Sequence, residues 1–114
     1  MHAPDITRHT PAFATSPQLQ PEDLAAIAAA GFRSVINNRP DREGGDEQPT
    51  SATLQAAAAR AGLRYVYMPT VPSEITAQTV ETFARHLAEL PAPVLAFCYS
   101  GGRATRLFRL ATGG

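Results

Sequence analysis

The sequence predicts an α/β fold in which a mostly parallel sheet carries helices on both faces. Short apolar segments typical of buried strands alternate three times with longer segments of helical period. Strand–helix–strand connections within one sheet are right-handed, which brings successive strands side by side in parallel. The chain has 114 residues, 44% of them apolar, which suits one domain with a buried core. We therefore expect a single domain over residues 1–114.

Composition and charge exclude several classes of protein. Ten acidic and ten basic residues cancel, so bulk charge favours neither a nucleic acid nor an anionic membrane as partner. The apolar runs are shorter than a membrane span, and the chain does not open with the charged-then-apolar pattern of a signal peptide. A single cysteine cannot form an internal disulfide. This cysteine usage predicts a reducing, cytoplasmic location.

The first part of the chain predicts peripheral strands followed by a helix. Residues 1–17 contain three prolines around short apolar pieces, so we interpret them as an N-terminal arm or as one or two edge strands. Pro21 then opens a helix with two acidic residues in its first turn, where the helix dipole favours them. Gly31 ends this helix.

The remaining elements follow from apolar runs, helix caps and helix-ending residues. Serine or threonine before a helix is typical of a cap, and glycine or proline is typical of its end. The predicted order is a strand at residues 34–37, a polar loop at 38–49, a helix from Thr50 or Ser51 to Ala61, a strand at 64–68, an exit loop at 69–75, a helix capped by Thr76, a strand at 94–97 and a last helix after Gly101 and Gly102.

Three loops are expected at one edge of the sheet. Ligands of parallel α/β sheets bind beyond the carboxyl ends of the strands. The loops that leave these ends are residues 37–46, 69–75 and 98–103. The only cysteine, Cys98, is therefore expected at the functional edge.

The segment from Cys98 to Arg103 carries the chemistry. Backbone N–H groups of the loop and of the following helix N-terminus form a concave anion site, and the same positive field favours a Cys98 thiolate. Arg103 offers a planar fork to a tetrahedral oxyanion. The segment predicts a thiolate enzyme. Its anion-binding loop comprises Tyr99, Ser100, Gly101, Gly102 and Arg103, with Arg39 either as a second anion ligand or in a surface salt bridge.

The chain resembles the phosphatase-like domain of the beta-lactamase hydrolase-like family, a bacterial relative of the tyrosine and dual-specificity phosphatases. The resemblance rests on residues 19–24 (LQPEDL), 30–32 (AGF), 35–41 (VINNRPD) and the cysteine loop 98–103 (CYSGGR). It implies a cysteine-phosphatase-like fold that acts on phosphate esters, with Cys98 as nucleophile and Arg103 as oxyanion ligand. Some members are fused to metallo-beta-lactamase-like persulfide dioxygenases, which implies a partner of that kind.

The chain departs from the phosphatase pattern in two places, and the first is the cysteine loop. Tyrosine phosphatases place five residues between cysteine and arginine, whereas this loop has four, a spacing that is equally similar to rhodanese. Ala104 follows the arginine where phosphatases usually keep a serine or threonine, and Thr105 comes one position later.

The second departure from the phosphatase pattern concerns the general acid. Cleavage of a phosphate ester by a cysteine nucleophile is assisted by a carboxylic acid that protonates the leaving oxygen. The 69–75 loop contains no aspartate, so Glu74 is one candidate, although it also suits the start of the following helix. Asp41 is the other candidate, and it could equally fix its own loop by hydrogen bonds. Asp46 and Glu47 in the same loop are further alternatives.

The sequence therefore leaves three alternative functions open. The first is a cysteine-thiolate phosphatase that works through a phosphocysteine on Cys98. The second is a rhodanese-like sulfurtransferase that carries a persulfide on Cys98 and needs no general acid. The third is a catalytically degenerate module that binds an anion or a partner. No metal or cofactor is predicted, since His2, His9 and His86 lack metal-ligand spacing.

Overall fold

The alternation of strands and helices predicted from the sequence is present in the folded chain. A computed structural model describes residues 5–113. Its elements are, in chain order, β1 Thr7–Thr10, β2 Phe13–Ser16, α1 Asp23–Ala29, β3 Ser34–Asn37, α2 Ser51–Arg60, β4 Arg64–Tyr67, a 3-10 turn Pro72–Glu74, α3 Ala77–Glu89, β5 Val94–Phe97 and α4 Gly102–Thr112.

The five strands form one sheet in the order β1-β2-β5-β3-β4. β1 and β2 are antiparallel, and the other neighbouring pairs are parallel, so the prediction of a mostly parallel sheet is confirmed. Phe97 at the end of β5 is in register with Ser16 and with Asn37, and Asn37 is in register with Tyr67. The carboxyl ends of four strands therefore lie along the same edge.

Helices cover both faces of the sheet, as predicted. Side chains alternate between the faces of a strand, and the two faces of β5 belong to two separate apolar clusters. Leu95 and Phe97 pack in the cluster that contains residues of α1 and α2. Val94 and Ala96 pack in the cluster that contains residues of α3 and α4, and Cys98 continues this second face.

The N-terminal segment differs from its interpretation as an arm or as edge strands. β1 does lie at the edge of the sheet, but β2 lies inside it, between β1 and β5, with all four residues buried. The physical reason is an apolar anchor, because Phe13 is 3% exposed and its ring stacks on Phe108 with centroids 4.1 Å apart. The predicted placement of residues 1–4 lies outside the described residues.

The predicted helix caps explain where the long helices begin. The Thr50 hydroxyl accepts a hydrogen bond from the Thr53 backbone N–H, and Thr76 forms a capping box with Thr79. α4 begins differently, after Gly101 in the left-handed conformation with φ 95°. Over residues 5–113, no helix is both long and apolar enough to cross a membrane.

Candidate active site

The loops that follow β3, β4 and β5 meet at the edge of the sheet, and Arg103 joins them. Its Nη1 donates to the backbone oxygen of Asn38 at 3.2 Å and to that of Thr70 at 3.0 Å. Asn38 follows β3 and Thr70 follows β4, while Arg103 lies in the first turn of α4 after β5. The convergence predicted for the three loops is therefore confirmed.

Cys98 lies directly after the central strand and lines a cavity of about 270 Å³. The residue is 1% exposed, and its Sγ accepts a hydrogen bond from the backbone N–H of Gly101 at 3.1 Å. A donor at this distance stabilises negative charge on sulfur. The cavity is lined by Cys98, Tyr99, Ser100, Gly102, Arg103 and Arg106 from the cysteine loop and α4, and by Pro72 and Ile75 from the loop after β4.

Gly101 lets the loop turn sharply into α4. Its φ is 95°, a conformation that residues with a Cβ rarely adopt. A Cβ here would also lie 3.3 Å from the backbone oxygen of Ser16. The turn brings the Gly101 N–H to Cys98 and places Gly102 at the start of the helix. The prediction that glycine shapes this loop is confirmed at Gly101.

Both Nη atoms of Arg103 are held by protein groups, whereas its Nε has no partner among the described residues. Its side chain is only 9% exposed, which excludes a simple surface charge. Both Nη atoms donate to protein groups, and Nη2 reaches Glu43 Oε1 at 3.1 Å. Its Nε is buried and has no hydrogen-bond partner among the residues that the structure describes. A buried N–H of a guanidinium without a partner is costly unless a ligand accepts from it.

Glu43 is a site residue that sequence reasoning missed. Its Oε1 accepts from Arg39 Nε at 2.9 Å, and its Oε2 lies 3.1 Å from Arg103 Nη1. Partial burial alone would raise the pKa of Glu43, but the hydrogen bonds from Arg103 and Arg39 outweigh it, and the pKa is lowered. The carboxylate therefore stays charged and fixes the Arg103 guanidinium. The one available signal was its position four residues after Arg39.

Arg39 is largely buried and is held by neighbouring side chains. The residue is 8% exposed, its Nη1 donates to Gln18 Oε1 at 3.1 Å, and its guanidinium lies 4.8 Å from the centroid of the Tyr99 ring. The alternative of a surface salt bridge is therefore corrected to an ion pair with Glu43 in which the Arg39 side chain is buried. The role of Arg39 as a second anion ligand stays a prediction. Burial follows from the loop, in which Asn37 Oδ1 accepts from the Arg39 backbone N–H at 2.8 Å.

Comparison with known proteins identifies the family of this chain. A family model described as "Beta-lactamase hydrolase-like protein, phosphatase-like domain" matches residues 5–114. The chain belongs to this family. It is a phosphatase-like domain, and the resemblance seen in its sequence is confirmed.

Curated relatives of the domain are bacterial and much longer. A beta-lactamase hydrolase-like protein of Xylella fastidiosa is 40% identical over 98 residues, which cover 86% of this chain and 22% of the relative. A protein of the same name from Agrobacterium fabrum is 38% identical over 90 residues, with 77% and 20% covered. The chain thus spans about a fifth of the length of the curated relatives it matches.

Solved structures share the fold. A protein of Neisseria meningitidis, provisionally described as a phosphatase, is similar with a TM-score of 0.84 and 34% identity, over 94% of this chain and 77% of that one. P. aeruginosa TpbA, solved in complex with pTyr, has a TM-score of 0.69 and 19% identity over 96% of this chain and 64% of that one. The cysteine-phosphatase-like fold predicted above is therefore shown.

The two candidate acids lie in different surroundings. Asp41 Oδ1 accepts from the Ser51 backbone N–H at 2.8 Å, and the Asp41 N–H donates to the Tyr67 hydroxyl. Asp41 thus joins its loop to the start of α2. Glu74 is exposed in the 3-10 turn, between Pro72 and Ile75, which both line the Cys98 cavity. Neither carboxylate itself belongs to the cavity lining, so the acid stays a prediction.

No metal site accompanies the cavity in the described part of the chain. Residues 5–113 hold no group of three or more His, Cys, Asp or Glu side chains able to bind a metal ion. The polar side chains that line the cavity are two arginines, a thiol and two hydroxyls, and the Gly101 N–H contacts the thiol. This donor set suits an oxyanion.

Replacing Glu43 with glutamine is expected to lower turnover of an aryl phosphate about ten- to hundredfold, because the Arg103 fork loses the charge that fixes it. Asp46→Asn is the matched control, since Asp46 forms the same i,i+4 pair with Arg42 but in full exposure. It should change turnover less than about twofold. Equal losses in the two variants would contradict the positioning role of Glu43.

The Glu43 interactions also give stability a pH dependence with a defined sign. Because the folded-state pKa is lowered, their contribution is present above the ordinary glutamate pKa and is lost as pH falls through the folded-state pKa. We expect wild type to exceed Glu43→Gln in free energy of unfolding at about pH 7 and to approach it at about pH 3. Urea unfolding of both proteins at the two pH values measures this difference.

Proposed function

We propose that this domain is a cysteine-dependent phosphatase that hydrolyses phosphate esters through a phosphocysteine on Cys98. One observation carries the proposal. Arg103 lines the Cys98 cavity, its Nη atoms donate to Asn38, Thr70 and Glu43, and its buried Nε–H has no acceptor among the described residues. An oxyanion bound beside the sulfur supplies the acceptor that this N–H lacks.

The chemistry proceeds in two balanced steps. The Cys98 thiolate attacks phosphorus, the phosphorus–oxygen bond to the alcohol breaks, and the leaving oxygen takes a proton from a carboxylic acid. Water then attacks the phosphocysteine, its proton returns to the carboxylate, and inorganic phosphate leaves the regenerated thiolate. The Gly101 N–H, 3.1 Å from Sγ, stabilises the sulfur when it carries negative charge.

We assign the proton transfer to Glu74 rather than to Asp41. The Asp41 carboxylate already accepts from the Ser51 N–H and supports the start of α2. Glu74 is adjacent to Ile75 and two residues from Pro72, which both line the cavity, and the assignment requires its carboxyl group to reach the cavity when substrate binds. Apo geometry of a catalytic acid is often looser than geometry in the substrate complex.

The Glu74 assignment predicts a dependence on the leaving group. Glu74→Gln should slow hydrolysis of an alkyl phosphate about hundredfold, because its alkoxide needs a proton to leave. The same variant should slow an activated aryl phosphate far less, because a stable phenolate leaves unprotonated. Asp41→Asn is the matched control and should affect both substrates equally. A leaving-group effect in Asp41→Asn and not in Glu74→Gln would transfer the role to Asp41.

Sulfur transfer is the second candidate, favoured by the four-residue spacing between Cys98 and Arg103 and by the absence of a carboxylate from the cavity lining. In this reaction the thiolate attacks the outer sulfur of thiosulfate, sulfite leaves, and Cys98 carries a persulfide until a second thiolate accepts the sulfur. No proton donor is required. A partner of metallo-beta-lactamase type would fit this chemistry through the persulfide it oxidises.

Intact mass spectrometry separates the candidates. Wild type and Cys98→Ser are exposed separately to an aryl phosphate and to thiosulfate, then quenched in acid. A mass increase of one phosphoryl group in wild type, absent from Cys98→Ser, supports the phosphatase. An increase of one sulfur atom with no phosphoryl adduct supports sulfur transfer. Neither adduct, with no turnover of either compound, supports a binding module without catalysis.

A further inference from the structure

The peptide between Gly101 and Gly102 determines what the cysteine loop presents to an anion. The Gly101 carbonyl accepts two hydrogen bonds from α4, from the Thr105 backbone N–H at 3.0 Å and from Thr105 Oγ1 at 2.8 Å. In a trans peptide the N–H points opposite to the carbonyl. The Gly102 N–H accordingly points the other way and donates to Ser100 Oγ at 3.3 Å, and both residues line the Cys98 cavity.

This orientation is not guaranteed by the loop sequence. A half-turn flip of a peptide changes ψ of the residue before it and φ of the residue after it, and glycine tolerates both changes. Here both residues are glycine. A flipped peptide would turn a carbonyl oxygen toward the bound anion in place of an N–H, which repels the charge that the site is built to hold. The backbone bond from the Thr105 N–H opposes the flip, and side-chain interactions with the same carbonyl add to it.

A hydrogen-bond chain from the β1–β2 hairpin supplies such interactions. Thr105 Oγ1 lies 3.1 Å from Thr15 Oγ1, which lies 2.9 Å from His9 Nε2. A hydroxyl has one proton, and that of Thr105 is donated to Gly101. Thr15 must therefore donate to Thr105, and His9 Nε2–H donates to Thr15. The His9 ring packs beside the stacked pair of Phe13 and Phe108, with centroids 5.9 and 5.7 Å away.

The burial of Ala104 explains why the hydroxyl that contacts the cysteine loop belongs to residue 105. Ala104 is fully buried in the apolar cluster of α3 and α4, where a hydroxyl would need a partner. Thr105, one residue later, faces the hairpin instead. Its contact is with the Gly101 carbonyl, so it acts on the loop peptide.

We propose that Thr105, Thr15 and His9 are positioning residues that hold the Gly101–Gly102 peptide with its N–H toward the anion cavity. The inference rests on the proposed anion-binding role of the loop. It predicts that anion affinity depends on a hydroxyl at residue 105, supported by a second hydroxyl at residue 15. The hairpin thereby takes part in the site without touching the substrate.

The test measures the dissociation constant of tungstate by calorimetry and the turnover of an aryl phosphate in the same variants. Thr105→Val keeps the shape and removes the hydroxyl, and it should weaken tungstate about tenfold. Thr105→Ser keeps the hydroxyl and should bind as wild type does. Thr15→Val combined with Thr105→Val should lose no more than Thr105→Val alone, because both act through one chain.

A second substitution tests the flip directly. Gly102 has a helical conformation, and a Cβ there meets only Ser100 Oγ at 3.4 Å, so alanine fits. Alanine cannot adopt the positive φ that the flipped peptide requires. Gly102→Ala added to Thr105→Val should therefore restore most of the tungstate affinity. A merely structural role of Thr105 would leave the double variant as weak as the single one.

The outcomes distinguish this inference from the proposed function. Wild type that binds tungstate but has no Cys98-dependent hydrolysis contradicts the phosphatase and leaves the tungstate comparison valid. Equal tungstate affinity in wild type and Thr105→Val overturns the positioning role alone, as does a failed rescue by Gly102→Ala. Wild type that does not bind tungstate overturns both.

Discussion

Cys98→Ser is expected to reduce hydrolysis of an aryl phosphate by about ten-thousandfold or more. Serine is nearly the same size and keeps the hydrogen bond from Gly101, but its hydroxyl is protonated at neutral pH and attacks phosphorus poorly. The measurement is kcat at neutral pH for the two purified proteins. Cys98 is the only cysteine of the chain, so no other thiol contributes to the signal.

Binding gives the internal control for this substitution. Arg103 and the loop N–H groups remain in Cys98→Ser, so tungstate affinity should stay within about threefold of wild type. Loss of both binding and turnover would indicate a damaged loop and not a missing nucleophile. Full turnover of the aryl phosphate with serine at this position would contradict covalent catalysis of phosphate hydrolysis by Cys98.

Arg103→Lys is expected to lower kcat about a hundred- to thousandfold although it preserves the charge. The guanidinium uses its two Nη atoms to bridge Asn38, Thr70 and Glu43, and in the proposed mechanism its Nε donates to the anion. Lysine has one nitrogen and cannot do both. The variant also leaves backbone acceptors near the cavity without donors, which should cost about 1–3 kcal/mol in the free energy of unfolding.

Arg85→Lys is the matched control for Arg103→Lys. Arg85 is an exposed residue of α3 that pairs with Glu81 at 3.4 Å, and its replacement should change neither kcat nor stability measurably. An Arg103→Lys protein with wild-type turnover would show that charge alone suffices at this position. That result would remove the planar fork from the mechanism.

The parts of the fold that the sequence predicts well are the ones set by local chemistry. Thr50 and Thr76 cap helices because their hydroxyls reach N–H groups three residues later, within a few ångströms along the chain. The apolar run of β5 and the cysteine after it are likewise local features. The placement of Cys98 where the carboxyl ends of the strands meet follows from the general geometry of parallel sheets.

The parts that could not be predicted depend on contacts between distant segments. Glu43 is one of several acidic residues in a polar loop, and only the folded position of Arg103 distinguishes it from Asp46 or Glu47. The interior position of β2 likewise depends on its pairing with β5, which lies far along the chain. Proline-rich local sequence pointed to the edge instead.

The central position of β5 has a consequence for how the chain assembles during synthesis. β2 and β3 are not neighbours in the sheet, and β5 bridges them through parallel pairs with both. It is also the last of the five strands to leave the ribosome. Until it arrives, the hairpin and the β3–β4 pair expose unpaired edges and have no common sheet. The strand that precedes Cys98 is therefore the one that completes the sheet. The cysteine loop forms together with the sheet that supports it.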